Sequence, residues 1–206
     1  MYLPAAFQET DLASMFDFIE EHSFGLLVSQ GDDQPFATHL PLLLERDSGP
    51  RGTLVSHMAR ANPHWRYADG QPVLVVFSGP HAYISPTWYA AEHVVPTWNY
   101  VAVHAYGVLE PILETDAILD IVSRTADRYE QSRQPSWQFE SGTDFAAKLV
   151  QSIVGFRIEL TRLEGKWKLS QNHSLERRRS VIAGLRAEGT PAAAEVAALM
   201  EATLPS

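Results

Sequence analysis

At 206 residues, with 45% apolar and 10% aromatic side chains, the chain has the size and composition of a globular protein with one sizeable core rather than of a disordered segment. Against 25 Asp and Glu it carries only 16 Lys and Arg, a formal net charge of −9, so its average surface repels phosphate backbones and nucleic-acid binding would need a local basic patch. The absence of cysteine excludes disulfides, thiolate metal sites and cysteine nucleophiles together.

The first residues, MYLPAAFQETD, have neither a basic start nor a long apolar run, so the expectation is a cytoplasmic protein without signal peptide or membrane anchor. From 10 to 22, Leu12, Met15, Phe16 and Ile19 recur at i, i+3, i+4 and i+7 behind Thr10 as N-cap, which predicts an amphipathic helix. Residues 24–29 and 36–45 read as strands joined by a Gly-Asp-Asp-Gln-Pro turn. A third strand is expected at 51–57 and a fourth, apolar on both faces, at 72–79. AYISPTWY and VVPTWNYVAVHAYGVLE supply two more, and six β segments with hairpin-length links favour an antiparallel barrel over a parallel α/β sheet.

Helical periodicity returns at 115–131 through Ile118, Ile121, Val122, Thr125 and Tyr129, and at 143–154 through Phe145, Leu149 and Ile153. GFRIELTRL alternates as a seventh strand, and two short helices close the chain, the second starting at Thr190-Pro191 as N-cap and N1. That last helix is alanine-rich, which leaves it little to bury. The expected organisation is mainly β with flanking helices (α+β): a main domain over 1–173 and a helical tail over 174–206.

Three stretches carry chemistry. In VVPTWNYVAVHAYG, a strand places Trp98, Tyr100, Ala102, His104 and Tyr106 on one face and Asn99, Val101, Val103 and Ala105 on the other. The first face is a row of amphipathic rings, suited to another subunit or a flat ligand, or equally to a core beneath flanking helices. SHMARANPHWR runs from a strand into a turn with His57, Arg60, Asn62 and His64, donors and acceptors that fit a phosphate or a ring carbonyl, though such turns are also common surface features. LEGKWKLSQN sets Lys166, Lys168 and Ser170 against Trp167, Leu169 and Gln171, either an anion-facing edge or a lysine-guarded hairpin. The basic run LERRRS, at 175–180, reads as the solvated face of a helix. The eight histidines form no HxH or HExxH pattern, so no metal site is expected, and no acid–base pair stands out to nominate a catalytic residue.

MYLPAAF, ATHLPLLLE, SHMARANPHW, AYISPTWY, VVPTWNYVAVHAYG and LEGKWKLSQN, in this order, resemble the PaiB-type FMN-binding negative transcriptional regulators, from Met1 to about Gly189. The resemblance implies an antiparallel split β-barrel of the FMN-binding type, related to pyridoxamine-phosphate oxidases and flavin reductases, assembled as a homodimer with FMN at the subunit interface. It nominates Thr38, His39, Leu40 and Pro41 along the isoalloxazine edge, and Ser56, His57, Arg60 and Asn62 around the pyrimidine edge, ribityl chain and phosphate. His64 stands where related flavin proteins often carry a lysine. Trp98 and Tyr100 become interfacial rings, with Lys168, Ser170 and Gln171 as a second set of cofactor contacts. The function implied is negative regulation responding to flavin or redox state, and the negative charge argues for an indirect route rather than direct DNA contact. Two alternatives remain open: an FMN-dependent oxidoreductase of the reductase or oxidase kind, and a haem-binding or haem-degrading split barrel using His173.

Overall fold

The computed structural model describes residues 1–89 and 94–205. Eight strands and six helices follow in the order β1 (Gln8–Glu9), α1 (Leu12–Glu21), β2 (Phe24–Gln30), β3 (Pro35–Pro41), β4 (Leu43–Glu45), β5 (Thr53–Ala59), α2 (His64–Tyr67), β6 (Pro72–Ile84), β7 (Thr97–Ile112), α3 (Thr115–Glu130), α4 (Asp144–Leu149), β8 (Ile153–Lys168), α5 (Leu175–Glu188) and α6 (Pro191–Ala202). The strands pair in the order β3-β2-β6-β7-β8-β5-β4, with β1 on β8. The chain divides into two compact units, and β6, β7 and β8 each contribute to both.

The unit of Leu12–Phe77 and His104–Leu163 holds most of the core. In it α1 buries Met15, Phe16 and Ile19 as its spacing predicts and Phe18 besides, while Leu12 is half-buried. The β2–β3 hairpin pairs Gln30 with Pro35 and Leu27 with Thr38, and the inward side of β2 alternates through Gly25, Leu27 and Ser29. β5 pairs with β8 from Thr53↔Glu159 to Ala59↔Ile153, closing over Leu54, Phe156 and Ile158, all fully buried.

The other unit comprises Met1–Asp11, Ser78–Val103 and the described residues from Glu164 on. Ser174 and Thr190 cap α5 and α6 through their side chains, and Gly189, at φ +74, ends α5 in the left-handed conformation that glycine adopts without strain. Contrary to the expectation for an alanine-rich helix, α6 buries Ala193, Val196, Ala197 and Met200. Small side chains let the helix approach closely, so little bulk still excludes water. Nor is LERRRS wholly solvated: the Arg178 guanidinium is buried and donates to the Thr203 carbonyl at 2.8 Å and its hydroxyl at 2.6 Å, tying the end of α6 to α5.

Several boundaries differ from the sequence reading. The first helix begins at Leu12, and the Glu9 carboxylate, not Thr10, accepts the N–H groups of Thr10 and Asp11 at 2.8 Å. Gly79-Pro80 does not end a strand, because β6 continues to Ile84, and the second half of AYISPTWY is a 3-10 turn at Pro86–Tyr89. The helix expected over 143–154 stops at Leu149, and after a 3-10 turn the β-branched Ile153 and Val154 open β8, which runs on through LEGKWK to Lys168.

Candidate functional site

The nominated residues fall into two groups, one in each unit. The first lies where β3, β5 and α2 meet. On β3, Leu40 is buried and Thr38 half-buried, while His39 is exposed beside the Phe24 ring of β2, 6.0 Å away and nearly parallel. Ser56 is buried and donates to the Pro41 carbonyl at 2.5 Å, so these two nominated strands are stapled side chain to backbone. His57 is half-buried, and its Nδ1 has no hydrogen-bond partner. Burial holds its pKa below the ordinary histidine value.

Arg60 and Asn62 are engaged within the protein. The Arg60 guanidinium donates from Nε to the Gln151 carbonyl at 2.7 Å and from a terminal nitrogen to that of Ile153 at 2.9 Å, fastening the turn to the start of β8. Asn62 Oδ1 accepts the His64 N–H at 3.0 Å, and its amide donates to Thr38 Oγ1 at 3.2 Å. His64 is fully buried, with Nδ1 2.7 Å from Thr38 Oγ1, Nε2 3.0 Å from Ser29 Oγ and the Phe36 ring edge-on at 4.9 Å. It is therefore the centre of a satisfied polar network rather than a surface group. No local pattern signals this, since its partners lie 26 and 35 residues away.

Burial lowers the pKa of His64 as it does that of His57. A histidine held neutral in the fold but free to protonate when unfolded makes the unfolded state bind more protons below about pH 6.5. Its stabilising contribution is present above that pH and is lost as pH falls toward the lowered folded value. Urea midpoints measured from pH 8 to pH 5 should decline below about 6.5, and a His64→Gln variant, less stable at pH 8, should show a shallower decline. A slope that the variant leaves unchanged would assign the titration elsewhere.

The second group lies in the other unit. The inward side of β7 is buried at Asn99, Val101 and Val103 as expected, but Asn99 is polar there and is paired: its amide donates to Ser170 Oγ at 3.0 Å and lies 3.3 Å from the Met200 sulfur. On the outward side Trp98 is 53% exposed and meets the 45% exposed Tyr83 edge-on, with centroids 5.8 Å apart. Tyr100 is half-buried under the Lys166 ammonium, 5.3 Å from its ring centre. Lys166 is itself buried and donates to the Tyr2 carbonyl at 2.9 Å, so it does not guard an open edge.

The alternation expected through Ser170 ends with β8 at Lys168. Ser170 takes φ +64, a left-handed conformation that costs an L-residue roughly 1–2 kcal/mol, and the Asn99 pairing helps to hold it there. Gln171 folds back, accepting the Leu169 N–H at 2.7 Å and donating to the Trp167 carbonyl at 2.6 Å. Lys168 donates to Thr97 Oγ1 at 2.6 Å and to the Trp98 carbonyl. Lys168 and Ser170 border a cleft that also takes in Tyr89, His173 and Arg177, three residues the cofactor assignment omitted. Among the described residues no helix is long and apolar enough to cross a membrane, and no group of three or more His, Asp or Glu could hold a metal ion.

Residues 1–162 match a protein-family model described as "Putative FMN-binding domain". The chain is 38% identical over 206 residues to the Bacillus subtilis "Protease synthase and sporulation protein PAI 2", covering 98% of this chain and 97% of that one. An uncharacterised Aspergillus fumigatus protein is 30% identical over 92% of each chain. Two solved structures share the fold: an FAD and haem binding protein from Mycobacterium smegmatis, with 15% identity, TM-score 0.60 and coverage of 89% of this chain and 80% of that one, and the flavocytochrome Anf3 from Azotobacter vinelandii, with 12% identity, TM-score 0.62 and coverage of 78% and 69%. The antiparallel split barrel with flanking helices expected from the resemblance is the fold observed.

Proposed function

Because the chain belongs to this FMN-binding family, and FMN is accordingly its cofactor, we propose that it is a homodimeric flavoprotein that holds FMN at the subunit interface and acts as a negative regulator responding to flavin occupancy or redox state. The observation that carries this reading is the family match over residues 1–162, which contains the nominated segments 38–41 and 56–62 with Trp98 and Tyr100, while Lys168, Ser170 and Gln171 lie beyond it. The residues present fit the group. His57 Nδ1 is a buried polar atom without a partner, as a flavin edge rich in donors and acceptors requires, and neither segment contains a carboxylate to repel the phosphate. Thr38, His39, Leu40 and Pro41 would lie along the ring system, with Ser56 and His57 at its polar edge; Arg60 shapes the turn through its carbonyl bonds. When bound, FMN supplies one- and two-electron chemistry, and the protein supplies orientation and electrostatics.

A second copy of the chain is the occupant that best suits the outward face of β2 and β6. Leu26 sits opposite Val76 and Val28 opposite Leu74, all half-buried, and Phe24 is 65% exposed at the end of the row. Such a self-complementary apolar patch suits a two-fold interface. The exposed Trp98 and Tyr83 rings offer the same kind of surface in the other unit. In keeping with a regulatory rather than a metabolic role, the Bacillus subtilis relative carries sporulation in its name, "Protease synthase and sporulation protein PAI 2". With a net charge of −9, the chain is better suited to a protein or metabolite partner than to DNA.

The test is an FMN titration followed by flavin absorbance, with the mass in solution recorded alongside. One FMN per subunit is expected, at twice the chain mass of 23.0 kDa, and His57→Ala should weaken binding by about tenfold, the loss of one hydrogen bond. FMN bound stoichiometrically to a monomer would overturn the interface, and no saturable binding would overturn the cofactor reading. Loss of the gene should raise a set of transcripts; an unchanged transcript profile would remove the regulatory role.

A further inference from the structure

The cleft bordered by Lys168 and Ser170 has a volume of about 350 Å3 and lies wholly within the unit of Met1–Asp11, Ser78–Val103 and the residues from Glu164 on. Its charge is one-sided. Lys168 and Arg177 stand on its wall with His173, and none of its described lining residues is acidic, in a chain with 25 acidic residues. Lys168 gives two of its N–H groups to Thr97 Oγ1 and the Trp98 carbonyl, both neutral. Neither Lys168 nor Arg177 has an ion-pair partner among the described residues. Burial first, and then the neighbouring Lys166, press the Lys168 pKa below the ordinary lysine value, and burial, Arg177 and Lys168 do the same for His173. Among the described residues, each cation thus lacks the counter-charge that normally accompanies a partly buried ammonium or guanidinium.

A second feature points into the same space. Tyr89 is 4% exposed and lines the cleft, yet its hydroxyl makes no hydrogen bond of ordinary geometry. Burial pushes its pKa up, tempered by the nearby Ser170 hydroxyl and the Arg177 charge. Buried phenols almost always find an acceptor. Phe7, Val94 and Val95 make one stretch of the wall apolar beside the polar Thr97, Asn99 and Asn172, and the Tyr89 ring packs 5.0 Å from that of His173. Lys168, Ser170, His173 and Arg177 all lie beyond residue 162, where the family match ends.

We propose that this cleft binds a small organic anion, a carboxylate or phosphate ester with a flat apolar body, its head held by Lys168 and Arg177 and hydrogen-bonded by the Tyr89 hydroxyl, and its body laid against Phe7, Val94 and Val95. The two cations set the charge of the ligand, the phenol supplies a directional donor, and the apolar wall selects against inorganic ions. The site does not rest on the flavin reading. Its effect on the protein would be to anchor α5, which carries Arg177, to the 3-10 turn that carries Tyr89.

Calorimetric titration of the full chain, with and without saturating FMN, tests the proposal with benzoate and phenyl phosphate as probes and acetate and inorganic phosphate as body-less controls. Saturable one-to-one binding of at least one probe is expected, at least about tenfold tighter than its control. Preference for benzoate or for phenyl phosphate identifies the head group. Arg177→Gln and Lys168→Met should each weaken the probe about tenfold or more, and Tyr89→Phe about fivefold, with FMN affinity unchanged in Arg177→Gln. No saturation by about 10 mM of either probe, or equal binding by all three variants, overturns the site. Probe binding abolished by FMN would also overturn it, by making these cations part of the flavin pocket, and would leave the FMN reading standing.

Discussion

Gly107→Ala is expected to cost about 3 kcal/mol or more of stability, seen as a large fall in the urea midpoint. A Cβ at this position would stand 2.2 Å from the Glu159 carbonyl oxygen and 2.7 Å from the Ile158 Cγ2. The nearest obstacle is backbone, so no rotamer change relieves it. The β8 backbone cannot simply retreat, because Ile158 and Glu159 are paired on their other side with Leu54 and Thr53 of β5. Two residues on, β7 is pinned as well, with Leu109 donating to the Gln71 carbonyl at 3.2 Å and accepting the Gly70 N–H at 2.9 Å. Glycine inside a strand ordinarily weakens it, so its presence here marks a close crossing of backbones. Gly142→Ala is the control: a Cβ there meets nothing within 4 Å, and its effect should stay within about 0.5 kcal/mol. Equal stability of the two variants would mean that β7 and β8 do not approach this closely in solution.

Gly107 also shows where sequence reading works and where it stops. The strand through it was legible because period 2 is local: Asn99, Val101, Val103 and Ala105 are buried on the predicted inward face, and of the opposite face from Trp98 to Tyr106 only Ala102 joins them. The Thr190-Pro191 helix start and the 115–131 helix were legible for the same reason, since caps and i, i+4 spacing act over a few residues. Gly79-Pro80, a local turn signal, misled because pairing across β6 overrides it. At the candidate sites the difference is sharper. Arg60 and Asn62 were correctly placed on a turn, but the carbonyls of Gln151 and Ile153, and Thr38, which engage them, lie far along the chain. Phe7, Tyr89, Lys168 and Arg177 share one cleft with no periodicity to join them, and the fold alone brings them together. Asn99 left a readable trace, a lone amide on an otherwise apolar strand face, which signals a buried partner that the sequence cannot name.

Gly184→Leu should be the most damaging change in the other unit, lowering stability by about 3 kcal/mol and weakening probe binding in the cleft more than tenfold. Position 184 lies on α5, and a Cβ there would fall 2.4, 2.6 and 2.7 Å from the Cδ2, Cγ and Cε2 atoms of the Trp88 indole. One turn earlier on the same face, Ser180 Oγ donates to the Trp88 carbonyl at 2.5 Å. The helix therefore rests its smallest residue on the indole while its neighbours Val181 and Leu185 are buried. Mid-helix glycine is about 1 kcal/mol worse than alanine by propensity, so Gly184→Ala would stabilise an unobstructed helix; here the ring contact should reverse the sign. Trp88 is followed directly by Tyr89, so a side chain that lifts α5 from the indole also separates Arg177 from the Tyr89 hydroxyl, which links packing to ligand affinity. A double-mutant cycle isolates the contact: in a Trp88→Ala background, Gly184→Ala should turn neutral or stabilising, with a coupling of about 2 kcal/mol. Gly184→Ala that stabilises the parent protein would instead show that the helix stands clear of the indole, and the cleft would then have to be assembled without this contact.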